Sequence, residues 1–225
     1  MQARPTVIVF DVNETLLDIV PLEPLFARWF GDKAVMRQWF AQLVLYSQTL
    51  TLAGSYLDFA ELAVASLGMI ADIRRLTLPA EANQHLKLTI GSLPAHPDVR
   101  ESLGRLKASG FRLVTLTNSG GATQRAQLEA AGIAQLFEAQ FSVEAVRAFK
   151  PARSTYGSVA NALGLPINQT MMVACHSWDL IGARAAGCQT GFIRRIGNAE
   201  LDIAGARADV AADTLHAFAE CLGGN

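Results

Sequence analysis

With 225 residues, of which 51% are hydrophobic and 17% charged, the chain is long enough to bury a sizeable core as one large domain or as a domain carrying an inserted subdomain, and its composition excludes a disordered polypeptide. A formal net charge of -1, a pI near 6.4 and no Lys/Arg run give no electrostatic footprint for nucleic acid or for an anionic membrane surface. Three cysteines, Cys175, Cys188 and Cys221, in neither zinc-ligand nor CxxC spacing, imply no disulfide framework and point to a reducing compartment.

The chain starts at Met1-Gln2-Ala3-Arg4-Pro5 and runs straight into an apolar stretch, leaving no room for a signal peptide, so a cytoplasmic protein is expected. Val7 to Phe10 reads as a strand buried on both faces. It delivers Asp11 to the carboxyl edge of a sheet, where ligands bind in open parallel folds. Asp11 followed by Glu14 three residues on also has the form of a helix capping box, and on this stretch alone capping competes with a nucleophile. From about Val20 to Ile90 the periodicity is helical, with Leu22, Leu25, Phe26, Trp29 and Phe30 at spacings that share a face. Within that block, residues 38–57 hold no Asp, Glu, Lys or Arg, a length able to span a bilayer. Gln42, Ser47, Gln48 and Thr51 scatter polar groups through it, so it reads as a helix buried in a core or an interface.

Pro94 and Pro97 mark a turn before an amphipathic helix from Asp98 that ends near Gly110. A strand follows at 111–116, then the polar loop Thr117-Asn118-Ser119-Gly120-Gly121 and a helix from Ala122. A third strand is expected at 139–143, then Lys150-Pro151, a helix over 154–163, a strand at 170–174, a helix over 180–186 and a strand at 190–193. The tail adds a short strand near Val210 and a closing helix. Alternating strands and helices require a parallel sheet with right-handed crossovers, interrupted once by the helical block.

Four strand ends thus carry polar residues in succession: Asp11 with Thr15, Thr117-Asn118, Lys150, and His176 to Asp179. A carboxylate nucleophile in a cleft needs a nearby cation to stay ionised, and Lys150 fits that need. Taken singly, Lys150 also reads as a solvated loop lysine, and Thr117-Asn118 as plain turn chemistry.

In their order along the chain, Asp11 with Thr15, Thr117-Asn118, Lys150-Pro151 and Asp179 resemble the four motifs of the haloacid dehalogenase superfamily. Tyr156, six residues after Lys150, and Trp178-Asp179-x-x-Gly182-Ala183-Arg184 resemble its type II L-2-haloacid dehalogenases. The resemblance implies a Rossmann-like α/β core with helices on both faces of a parallel sheet (residues 1–19 and 91–225) and an inserted all-helical cap (20–90). It also implies hydrolysis of short 2-haloacids through an Asp11 ester, no cofactor or metal, and a homodimer formed through the cap. Lys150 would hold Asp11 ionised, Thr15 would orient it and Asp179 would position or activate water. Thr117, Asn118, Tyr156, His176, Val12, Phe40 and Trp178 would contact substrate.

Phosphatases of the same superfamily typically carry an acidic residue two positions after the nucleophile and a magnesium site. Asn13 stands there and can neither donate as an acid nor supply an anionic ligand. Glu14 is expected to point away from the site. The family's halide-lining arginine follows a cap tryptophan, and alignment through Trp39 and Tyr46 puts Phe40 in its place, with Arg37 one turn earlier. Ala174 and His176 stand where the family has Ser and Asn. An imidazole N–H at His176 could donate to a departing halide, or simply bond to backbone. A zinc site on Cys175 and His176 lacks further Cys/His ligands, and Cys175 reads as inert packing rather than a nucleophile. A non-enzymatic binding protein that has lost the arginine is the reading from a different class.

Overall fold

The computed structural model describes residues 4–223; the first three residues, on which the reading of a leaderless N-terminus partly rested, lie outside them. The short apolar segments form six strands, β1 (Val7–Phe10), β2 (Arg112–Thr117), β3 (Ala139–Ser142), β4 (Thr170–Ala174), β5 (Gln189–Ile193) and β6 (Val210–Ala212). They pair in parallel in the order β3-β2-β1-β4-β5-β6. Every residue of β1, β4 and β5 is buried. Successive side chains of a strand point to opposite faces, so both faces of the sheet are covered.

From β1 the chain builds outward through β2 to β3, then returns to place β4 on the other side of β1. That reversal opens a crevice beyond the carboxyl end of β1. Phe10, its last residue, is in register with Thr115 of β2 and Val173 of β4. The Asp11 N–H still bonds to the Val173 carbonyl at 3.0 Å, so the carboxylate leaves the sheet from its rigid centre. No helix starts here. The first regular helix, α1 (Glu23–Phe30), begins twelve positions later, which frees Asp11 of the capping role.

Between β1 and the rest of the sheet lie α1, α2 (Val35–Leu52), α3 (Phe59–Ile73) and α4 (Ala82–Gly91). Asp58 caps α3, its side chain accepting from the N–H groups of Ala60 and Glu61. The charge-free stretch forms most of α2, which buries Trp39, Leu43 and Ser47; the Trp39 indole N–H donates to the Ala63 carbonyl of α3 at 2.9 Å. Leu45 and Leu52 on the same helix face outward. Among the described residues no helix is long and apolar enough to cross a membrane.

The remaining helices are α5 (Val99–Ala108), α6 (Gly121–Ala130), α7 (Arg153–Ala162), α8 (Ser177–Ala186) and α9 (Leu215–Gly223). α8 starts three residues earlier than the spacing predicts, so Trp178 and Asp179 lie in its first turn. It seats itself against the loop that carries Lys150: a Cβ on Gly182 would come within 2.4 Å of the Pro151 Cβ and 2.6 Å of its carbonyl oxygen. Gly182→Ala is therefore expected to destabilise the protein by about 1–3 kcal/mol, read as a lower Tm. Gly157→Ala on α7, where nothing lies within 4 Å, should instead be neutral or raise stability by up to about 1 kcal/mol. Equal effects at the two positions would refute this close seating.

Candidate active site

Asp11 accepts two strong hydrogen bonds, one at each oxygen. The Lys150 ammonium donates to Oδ1 at 2.7 Å and the Thr15 hydroxyl to Oδ2 at 2.7 Å. Thr15 is itself fixed as a donor, because its oxygen accepts from the Cys175 N–H at 3.1 Å. Lys150 is fully buried, and its remaining protons go to Asp179 Oδ2 at 2.6 Å and the Leu116 carbonyl at 3.3 Å. A buried ammonium survives only with such partners. Its backbone is held as well: the Lys150 N–H donates to Asn118 Oδ1 at 3.0 Å, and the Phe149 N–H to Thr51 of α2 at 2.9 Å.

On the far side of Asp11 lies His176. Its Nδ1 faces Asp11 Oδ2 at 3.3 Å, short of the alignment of a full hydrogen bond, and its Nε2 meets Glu14 Oε2 at 2.8 Å. Glu14 in turn pairs with Arg37 of α2, whose guanidinium also donates to the Ile196 carbonyl at 2.8 Å. The expectation that Glu14 points away is thus corrected. Its backbone takes the left-handed conformation, φ +68°, which turns the side chain under the loop, and its carbonyl accepts from the His96 ring at 2.9 Å. Arg37 reaches Glu14 and does not line the space over Asp11.

These contacts separate the protonation of the groups. Burial pushes the Asp11 carboxyl up, but the Lys150 charge and then the adjacent His176 ring outweigh it and hold it well below the usual carboxylate range. Asp179 goes the other way. Its complete burial and the repulsion of Asp11 raise it above 3.8 despite Lys150 and Tyr156. Burial works against a charged His176, yet the Cys175 sulfur and the Asp11 and Glu14 carboxylates hold the ring protonated well above 6.5. Burial also opposes ionised Glu14, whose bonds to His176 and Arg37 bring it below 4.5.

The space over Asp11 is small, about 20 Å³, with walls that include Phe40, Phe59, Thr117, Asn118, His176 and Trp178. Trp178 stacks on His176 with ring centres 5.1 Å apart, and Phe40 stands 5.8 Å from the same ring. Two expected substrate contacts lie elsewhere. The Tyr156 hydroxyl is spent on Asp179 Oδ1 at 2.7 Å, and burial followed by the Asp179 charge keeps it a neutral phenol. Val12 is fully buried in the hydrophobic core and is absent from the walls. Thr117 does line the space, and its hydroxyl also accepts the Ser119 N–H in a local turn.

Glu14 and Arg37 were not marked as site residues by their sequence positions. A polar residue between Asn13 and Thr15, in a loop that must turn sharply, was the only available signal. Glu14 adds a third donor to Cys175 and His176, so that an oxygen, a sulfur and a nitrogen lie within 4.8 Å of one another, one short of a four-ligand set. A cation there would have to displace Arg37 and the imidazole proton.

A family model for haloacid dehalogenase-like hydrolases matches residues 5–187. The chain belongs to that family. It is 30% identical over 190 residues to (S)-2-haloacid dehalogenase 1 of Pseudomonas sp. (strain CBS-3), covering 84% of each chain. It is 27% identical over 192 residues to haloacetate dehalogenase H-2 of Moraxella sp. (strain B), covering 84% of this chain and 86% of that one. Among solved structures, a dehalogenase crystallised with an intermediate complex matches over the whole of both chains with a TM-score of 0.91 and 25% identity. The family hydrolase fold therefore extends through the four helices between β1 and α5.

Replacing Glu14 by Gln keeps the shape but removes the charge opposite Nε2. The His176 pKa, followed by NMR of the ring, is expected to fall; an unchanged titration would show that Glu14 does not hold the imidazolium.

Proposed function

We propose that this chain hydrolyses the carbon–halogen bond of 2-haloacids, short ones included, through an ester on Asp11. The observation that carries the reading is the opposite displacement of two carboxylates sharing one ammonium. Asp11 is held ionised, with one face open to the pocket, as a nucleophile requires, while Asp179 is held more basic, as a proton acceptor requires. Two relatives act, by their names, on (S)-2-haloacids and on haloacetate.

In the first step an Asp11 oxygen attacks C2 from the side opposite the halogen. The C–O bond forms as the C–halogen bond breaks, and halide leaves with the bonding electrons. Thr117 and Asn118 hold the substrate carboxylate. The His176 imidazolium, wedged between Asp11 and Glu14, stands beside Phe40, where an arginine is expected in the family, and receives the negative charge that departs. In the second step Asp179 takes a proton from water and the hydroxide attacks the Asp11 carboxyl carbon; Asp179 returns that proton to the C2 oxygen, which leaves as the alcohol of a 2-hydroxyacid, and the Asp11 carboxyl loses the second proton to solvent. Lys150 steadies both carboxylates, and Tyr156 orients Asp179.

The charges of the assembly cancel: Asp11, Glu14 and Asp179 against Lys150, Arg37 and His176. A monoanionic acid meets no net repulsion there, whereas a phosphate dianion would bring a further negative charge. The Lys150 ammonium already neutralises the facing Asp11 and Asp179 oxygens, and the Asn13 amide is committed to Ser119 and Gln127. The same reading takes residues 20–90 as a cap over a core of 1–19 and 91–225, works without metal or other cofactor, and places the protein in the cytoplasm as a homodimer. The outward Leu45 and Leu52 of α2 support the last point; light scattering that gives a monomer would refute it.

Purified protein is expected to release halide from a panel of chloro- and bromoacids. Asp11→Asn should abolish release, and Asp179→Asn should accumulate an ester seen by mass spectrometry while kcat drops about 10²–10⁴-fold. Activity should fall as pH drops through the raised Asp179 pKa, above 3.8, and again as pH rises through the raised His176 pKa, above 6.5. Metabolite binding without any halide release would favour a binding protein, and magnesium-dependent hydrolysis of an aryl phosphate would favour a phosphatase.

A further inference from the structure

The space over Asp11, about 20 Å³, exceeds only slightly what one water needs, and no haloacid fits it as it stands. Directly beside it, between the sheet edge and the inserted helices, lies a second and much larger chamber of about 160 Å³. Asn13, Phe40 and Phe59 line both spaces, so the two are separated by side chains and not by backbone layers. The chamber's other walls include Leu22, Trp39, Leu43, Ala63, Leu86 and Ile90, and apolar surface dominates it. A polar edge, Ser119 and Thr123, continues the Thr117-Asn118 loop, and the exposed Lys87 lies on the rim.

The polarity of the two compartments is divided in the way a substituted fatty acid is divided. Charged groups converge on the reacting carbon and its carboxylate, and an apolar space without a charged wall residue other than Lys87 begins one side chain away. An apolar cavity of about 150 Å³ lined by Leu, Ile and Phe takes up benzene. The chamber here accordingly has room for a six-carbon group. None of the steps assigned to Asp11, Lys150, His176 or Asp179 uses this space.

We propose that the chamber seats the hydrocarbon chain of the substrate, so that the preferred acids carry about four to six carbons beyond C2, linear or as a phenyl ring, with Phe40 and Phe59 as the movable partition. This rests on the reading of Asp11 as the group that attacks C2. Ala63 and Ile90 are then specificity-determining residues that touch only the far end of the chain.

Two measurements test it together. Calorimetric titration with unhalogenated straight-chain acids, acetate to decanoate, reads the chamber without turnover; kcat/KM for halide release from the matching 2-bromoacids reads it during turnover. Each added methylene should improve both by about fourfold, levelling off near eight carbons in total. Ala63→Leu and Ile90→Phe, which narrow the chamber from two different helices, should each remove about tenfold or more from octanoate binding while acetate binding and 2-bromopropanoate turnover stay within about twofold. A wild-type binding series that is flat beyond three carbons, or one that neither variant alters, overturns the chamber proposal. Chain-length-dependent binding with no halide release from any acid leaves the chamber standing and overturns the dehalogenase reading, so the two failures are distinguishable.

Discussion

A single ammonium, that of Lys150, holds the crevice together. It is buried completely between two carboxylates and a strand-end carbonyl, and removing a partner from such a group strands a charge at a typical penalty of about 3–5 kcal/mol. The surrounding architecture serves to keep it there. Asn118 after β2 grips its backbone N–H, Thr51 of α2 grips the residue before it, and the absence of a side chain at Gly182 lets α8 close on the residue after it. Three strand ends and one inserted helix are therefore tied to the position of one nitrogen.

The two carboxylates on that nitrogen are chemically alike and physically distinct. Asp11 adds the Thr15 hydroxyl and the His176 ring to the ammonium and has a face toward the pocket. Asp179 has the Tyr156 hydroxyl to add and is buried completely. Burial raises both; the extra donors on Asp11, and the repulsion that Asp11 exerts on Asp179, account for opposite displacements of two groups that start from the same pKa. The second network, from Arg37 through Glu14 to His176, supplies positive charge on the side of the pocket where Phe40 leaves none.

Much of this was legible in the sequence where one residue pattern has one physical outcome. Val7 to Phe10 and Thr170 to Ala174 could be placed as strands because unbroken short apolar runs suit a sheet covered on both sides. Asp11, Thr15, Lys150 and Asp179 could be gathered because strand ends of a parallel sheet share an edge. Side-chain direction was the part that could not be read. Alternation would send Glu14 away from Asp11, but a left-handed φ at that residue cancels the alternation. Tyr156 sits on the predicted helix, yet its reach to Asp179 depends on how α7 lies on α8. The apolar chamber draws its walls from helices far apart in the chain, and periodicity within each helix says nothing of the gap between them.

The helix α2 has a mechanical character that its composition conceals. It rests on the core through two polar supports, Arg37 on Glu14 near one end and Thr51 on the Phe149 N–H near the other, fourteen residues and so about 21 Å apart. Phe40 and Val44 hang from the span between them, directly above the nucleophile. Such a member behaves as a beam on two bearings, in which the clearance under the middle is set by the height of the ends. Neither bearing touches the space over Asp11, yet the tolerance to which that space is cut belongs to them.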